Sequence, residues 1–99
     1  MGYRLIYSRQ AGKDARLLER SGLDEKAKEL LSLIKRDPIQ NPPPYEKLVG
    51  NMAGAYSRRI NIHNRLAYQV VDNKEQLKDA AGDPYQGIVR VLRMWTHYE

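Results

Sequence analysis

The stretch Ala55-Tyr56-Ser57-Arg58-Arg59-Ile60-Asn61-Ile62, followed by His63-Asn64 and then Arg65-Leu66-Ala67-Tyr68-Gln69-Val70-Val71-Asp72, decides the fold class. Polar and apolar side chains alternate along both arms, and a short polar pair separates them, which reads as an antiparallel hairpin. Asn64 is expected to take a positive φ at the turn. Alternation assigns each side chain a face. Tyr56, Arg58, Ile60 and Ile62 share one, and its apolar majority turns it toward the core. Ser57, Arg59 and Asn61 share the other. On the second arm Leu66, Tyr68 and Val70 face inward, while Arg65, Ala67 and Gln69 face outward. The hairpin thus presents an open face carrying Arg59 and Arg65.

Upstream, residues 3–8 predict a first strand. Ser8 is placed to cap a helix whose apolar stripe is Ala11, Ala15, Leu17 and Leu18. Ser21-Gly22 breaks that helix. A second begins near Leu23, with Leu23, Ala27, Leu30, Leu31 and Ile34 on one face. Asp24 and Glu25 in its first turn and Lys35 and Arg36 in its last suit the helix dipole, and Pro38 ends it. Residues 38–44 are a proline-rich connection, and Tyr45 to Leu48 a short turn. Gly50 and Gly54 flank a loop into the hairpin. Downstream, residues 73–86 read as a long loop and residues 87–95 as a returning strand. The order β-α-α-β-β-β predicts an α+β domain spanning residues 1–99, with two N-terminal helices packed on a small twisted antiparallel sheet.

No cysteine is present, which excludes disulfides, thiolate metal sites and a thiol nucleophile. Met1 to Tyr7 lacks the apolar run of a signal peptide, and no stretch reaches membrane-spanning length. A cytoplasmic protein without a membrane partner is expected. The net charge of +5 favours anionic partners. Between Asn51 and Val71 stand Arg58, Arg59 and Arg65 with no acid, and between Tyr85 and Tyr98 stand Arg90 and Arg93, again with no acid and no lysine. Arginine's planar fork binds phosphate bidentately, which lysine cannot do.

RNA can be cut without metal by its own 2′-hydroxyl. That chemistry needs a base for the hydroxyl proton, an acid for the leaving oxygen and a cation for the crowded phosphate. Glu46, His97 and Arg65 supply the required types, and histidine titrates near the working pH. Each also has a plainer reading: a surface carboxylate, a terminal imidazole, solvated sheet arginines. A basic sheet with aromatics suits a non-catalytic RNA-binding or ribosome-binding domain equally well, or an interaction module for an acidic partner.

Four blocks narrow these alternatives: Pro43-Pro44-Tyr45-Glu46-Lys47-Leu48, Gly54-Ala55-Tyr56-Ser57-Arg58-Arg59-Ile60, His63-Asn64-Arg65-Leu66-Ala67-Tyr68 and Thr96-His97-Tyr98. Together they resemble the Txe/YoeB toxins of type II toxin–antitoxin systems, in the RelE/ParE-like superfamily. The likeness in residues covers the second half of the chain. The first half agrees in its pattern of elements. The resemblance implies a fold like that of microbial ribonucleases and RelE, and cleavage of mRNA at the ribosomal decoding site. It implies Glu46 as general base, His97 as general acid, Arg65 as the phosphate-stabilising arginine and Tyr98 as the aromatic that orients substrate. Arg59, Arg58 and Lys47 would bind RNA phosphates. No cofactor or metal is implied. The partners implied are a YefM/Axe-like antitoxin with an acidic, partly disordered segment, the ribosome with its mRNA, and operator DNA reached through the antitoxin complex. A homodimer is left open. The sequence departs from the family at Val49, where a lysine is common, in the length of the 73–86 connection, and at Glu99, which follows the His-Tyr pair.

Overall fold

A computed structural model describes residues 2–50 and 54–95. The elements are β1 (Tyr3–Tyr7), α1 (Arg9–Arg20), α2 (Asp24–Arg36), β2 (Glu46–Lys47), β3 (Ala55–Arg59), β4 (Arg65–Val71) and β5 (Gly87–Arg93). They form one α+β domain with a sheet ordered β1-β5-β4-β3-β2. The class is the expected one, but the sheet is mixed. β1 pairs in parallel with β5, whereas β5–β4, β4–β3 and β3–β2 are antiparallel. A parallel neighbour cannot be reached by a tight turn, and here α1 and α2 lie in the chain between β1 and the rest of the sheet.

The helices form as their local chemistry dictates. Ser8 caps α1, its Oγ accepting from the Ala11 N–H at 2.9 Å and donating to the Leu92 carbonyl at 2.9 Å. That hydroxyl therefore ties the helix start to β5. At the other end Gly22 has φ +73°; its N–H reaches the Glu19 carbonyl, and the Leu23 N–H reaches that of Leu18. This double closure needs a left-handed residue after the helix, which glycine adopts without strain. α2 carries Asp24 and Glu25 in its first turn and Lys35 and Arg36 in its last, and stops at Asp37 in extended conformation.

Ala11 and Leu18 of α1, Ala27, Leu30 and Ile34 of α2, and Leu66, Tyr68, Val89 and Val91 of the sheet make the core. Burying each large aliphatic side chain contributes about 1.5–3 kcal/mol. Leu17, expected in the apolar stripe, is only half-buried and lies outside that cluster. Ile62, expected to face inward, is 80% exposed, because β3 ends at Arg59 and alternation goes no further.

The hairpin turn also differs in its mechanism. Asn64 does not take a positive φ; among the described non-glycine residues only Gln76 does. Asn61 holds the turn instead, its Oδ1 accepting from the N–H groups of His63 and Asn64 at 2.9 and 2.7 Å. The connection over residues 73–86 is irregular but tied. Asn73 donates through Nδ2 to the carbonyls of Leu77 and Tyr85, and its Oδ1 accepts from the Leu77 N–H. Among the described residues no helix is long and apolar enough to cross a membrane.

Candidate active site

The helices cover one face of the sheet, and the other carries Glu46, Arg59 and Arg65. Residues 45–48 were expected as a turn, with Glu46 on a loop. They instead include the edge strand β2, because the Leu48 N–H reaches the Ala55 carbonyl at 2.9 Å and the chain runs antiparallel to β3. Register places Glu46 opposite Ser57, and Ser57 opposite Ala67. Arg59 stands opposite Arg65 on the same face. Pairing, rather than a flexible loop, therefore positions the carboxylate.

Arg65 is the hub. Its Nε donates to Ser57 Oγ at 2.7 Å, and its Nη2 donates to Glu46 Oε1 at 2.6 Å. Ser57 is fully buried beneath this contact. The ion pair is asymmetric: the Arg65 side chain is 20% exposed and that of Glu46 67%. One guanidinium is thus held from below while a carboxylate faces solvent. Two arginines directly opposite on neighbouring strands repel. Glu46 offsets Arg65, but among the described residues Arg59 has no ion-pair partner. An anion entering between them would relieve that repulsion. The space exists: a cleft of about 290 Å³ is lined by Pro44, Tyr45, Glu46, Arg59 and Arg65.

Two residues expected to bind phosphate are placed elsewhere. Arg58 is 1% exposed and lies on the helix-covered side. Its Nε donates to Tyr68 Oη at 2.9 Å, Nη1 to the Pro43 carbonyl at 2.7 Å, and Nη2 to the carbonyls of Pro38 and Gln40 at 3.1 and 2.8 Å. Its guanidinium carbon also lies 5.0 Å from the Tyr45 ring centroid. With four of its five N–H donors engaged and the side chain buried, Arg58 presents no donor at the surface to RNA, which corrects that expectation. Its action on the cleft is indirect: it fastens residues 38–45, the segment that delivers Glu46. Burial raises the Tyr68 pKa, a shift that the Arg58 hydrogen bond and charge partly oppose. Lys47 pairs with Tyr56, whose side chain packs on the core, so alternation turns it from Glu46, and it does not line the cleft.

The expected acid and aromatic, His97 and Tyr98, lie outside the described residues, as does Glu99. The end of β5 is held by Asp14, a residue that no local signal in the sequence singles out. Asp14 is fully buried on α1, and it accepts from Arg93 Nε and the Met94 N–H, both at 2.9 Å, and from Gln10. Burial acts to raise its pKa, but the hydrogen bonds from Met94, Gln10 and Arg93, with the charge of Arg93, outweigh it and hold the carboxyl below its ordinary range. Asp14 thereby fixes Arg93, the last residue of β5, and Met94 just after it. Among the described residues, no three His, Cys, Asp or Glu side chains gather as a metal site requires.

Comparison with known proteins places the chain among relatives of known family and fold. A family model described as a YoeB-like toxin of bacterial type II toxin–antitoxin systems matches residues 7–81. Toxin YoeB of a Synechocystis strain is 39% identical over 59 residues, covering 60% of this chain. The match spans 62% of that relative, under two thirds of its length. Among solved structures, a YoeB/ParE toxin from Agrobacterium tumefaciens superposes with a TM-score of 0.77 at 26% identity, over 96% of this chain and 99% of that one. The Staphylococcus aureus YoeB–YefM complex gives 0.70 at 28% identity, over 99% and 100%. The YoeB dimer from the same organism gives 0.71 at 29%, over the same shares.

Proposed function

The chain belongs to the YoeB-like toxins of bacterial type II toxin–antitoxin systems, and from that premise we propose that it is an endoribonuclease that halts translation by cutting mRNA in the ribosomal decoding site. The observation that carries the proposal is the solvent-facing Glu46 carboxylate held 2.6 Å from Arg65, beside Arg59, which has no ion-pair partner among the described residues, in one open cleft.

The chemistry needs no metal. Glu46 takes the proton of a ribose 2′-hydroxyl, and the resulting oxygen attacks the adjacent phosphorus. The P–O5′ bond breaks, and His97 gives its proton to the departing 5′-oxygen. The products are a 2′,3′-cyclic phosphate and a 5′-hydroxyl. Arg65 and Arg59 meet the negative charge that builds on the non-bridging oxygens. Ser57 prevents Arg65 from swinging away, so this stabilisation is organised before substrate arrives. Tyr98 orients the substrate against His97. An imidazole suits the acid role because its ordinary pKa of about 6.5 leaves a protonated fraction at neutral pH.

The partner proposed is a YefM-like antitoxin whose acidic, partly disordered segment folds over the basic sheet face. The pair would bind operator DNA through the antitoxin. Self-association, as in the S. aureus YoeB dimer, is proposed for the free toxin. The site of action is the cytoplasm.

Primer-extension mapping of transcripts after brief induction tests the reading. Wild type is expected to arrest growth and to leave cut ends near start codons. Glu46→Ala and His97→Gln are expected to lose the cuts while still sedimenting with ribosomes. Cleavage that persists in both variants, or ribosome binding that disappears in step with cleavage, would count against the assigned roles.

A further inference from the structure

α1 carries a second charged feature that the cleavage site does not use. Arg9, Lys13, Arg16 and Arg20 are all exposed. At 3.6 residues per turn they fall within roughly 60° of arc and run along about 16 Å of helix. Among the described residues none of the four has an acidic partner. Glu19 falls outside this arc, and Asp14 points the opposite way into the core. Lys13, Arg16 and Arg20 line a shallow groove of about 230 Å³ with Leu17 at its floor.

This ridge is locally unfavourable to its own helix. The first turn of α1 holds no acid and begins with Arg9 at the positive end of the dipole. Like charges spaced four apart add a further penalty of a few tenths of a kcal/mol per pair. α2, by contrast, follows the dipole rule at both ends and carries a Lys28–Asp24 bridge. A local rule broken on one helix and kept on its neighbour marks a functional surface.

We propose that this face of α1 docks on the phosphate backbone of duplex RNA, a contact separate from the cleft on the opposite face of the sheet. The ridge has no exposed large apolar side chain. Protein partners are usually anchored by such groups. A membrane surface requires an exposed apolar face, whereas the apolar face of α1 is buried in the core. Single strands are favoured by aromatic stacking platforms, which α1 lacks. A straight row of cations, mostly arginine, matches a stiff row of phosphates and reads no sequence. The choice of RNA over DNA rests on the proposed function; the backbone contact itself does not.

The test measures binding to a blunt 20-base-pair RNA duplex across a salt series, with no cleavage involved, so it can fail independently of the ribonuclease reading. Removing two phosphate contacts with Arg16→Gln/Arg20→Gln should reduce the slope of log K against log salt by about 1.8 and weaken binding at moderate salt roughly ten-fold or more. Arg16→Lys/Arg20→Lys should restore most of the slope. Lys26→Gln/Lys35→Gln removes the same charge from α2 and should leave the slope unchanged. Glutamine suits a helix, so far-UV circular dichroism should match wild type in every variant. Equal losses in the α1 and α2 variants would overturn the proposal, reducing the effect to net charge. So would affinity lost only for an acidic peptide, or only for a DNA duplex of the same sequence.

Discussion

Replacing Arg58 with methionine tests whether a residue with no access to solvent governs the cleft. The guanidinium donates four hydrogen bonds, to Tyr68 Oη and to the carbonyls of Pro43, Pro38 and Gln40. Hydrogen bonds to a charged group contribute about 1.5–3 kcal/mol each, so the gross loss is roughly 6–12 kcal/mol. Against this, methionine removes the standing cost of a buried cation, for which no carboxylate compensates among the described residues. Part of the gross loss is also recovered where carbonyls can turn to water, since the Pro43 and Gln40 contacts are only partly buried. The Tyr68 hydroxyl keeps its own bond to the Pro38 carbonyl at 2.6 Å. The net cost should be about 3–5 kcal/mol, in line with breaking a buried charged network by removing one member. At about 4–8 °C per kcal/mol for a domain of this size, the thermal midpoint should fall by at least ~12 °C. Urea titration followed by Trp95 fluorescence measures the stability. Cleavage assayed at a temperature where both proteins are folded measures the rest. Under the proposed function kcat should fall by a larger factor than KM rises, because the released segment carries Glu46 and not the bulk of the proposed RNA-binding surface. Arg58→Lys, which keeps the charge but not the fork, should fall between. An Arg58→Met protein with wild-type midpoint and wild-type cleavage would refute the reasoning.

Two further outcomes follow from packing and charge. Asp14 has a folded-state pKa below its unfolded value, so its contribution to stability is present in full above about pH 4 and lost as pH falls through the lower, folded value. Asp14→Asn should lower neutral-pH stability by about 2–4 kcal/mol and flatten the acid limb of a denaturation curve taken from pH 6 to 2; an unchanged acid limb would refute the assignment. At Gly87 an added Cβ would lie 2.9 Å from Tyr3 Cε2 and 3.0 Å from the Val71 carbonyl oxygen. Gly87→Ala should therefore cost about 1–3 kcal/mol by forcing β1 and β4 away from β5, read as a lower urea midpoint, and a neutral result would mean that the Tyr3 ring yields freely.

The sequence made the helices and the hairpin legible because their signals are local. Ser8, Gly22 and Pro38 mark ends, and Ala27, Leu30 and Ile34 repeat at the helical period. Alternation also placed Arg59 and Arg65 on one face, where the structure has them. What could not be read depends on partners far along the chain. β2 is two residues long, with no alternation to notice, and exists because β3 offers it an edge. Asp14 takes its meaning from Arg93 and Met94, some eighty residues away. Arg58 had the parity of a core residue. Its charge still suggested a phosphate ligand, since nothing local reveals that the carbonyls of a proline-rich segment would satisfy it.

The parallel pairing of β1 with β5 also bears on when the protein can exist at all. Ser8 and Leu92, which the pairing brings together, are 84 residues apart in the chain. During synthesis β1 has no place in a sheet until residues 87–93 emerge, and Val89 and Val91, central to the core, arrive with them. Closing so long a loop delays folding, and topologies dominated by distant contacts form slowly. A nascent chain stalled before Gly87 lacks the strand that joins β1 to the rest of the sheet. The order of synthesis thus sets the earliest moment at which the sheet can close, and that moment comes only once β5 has been made.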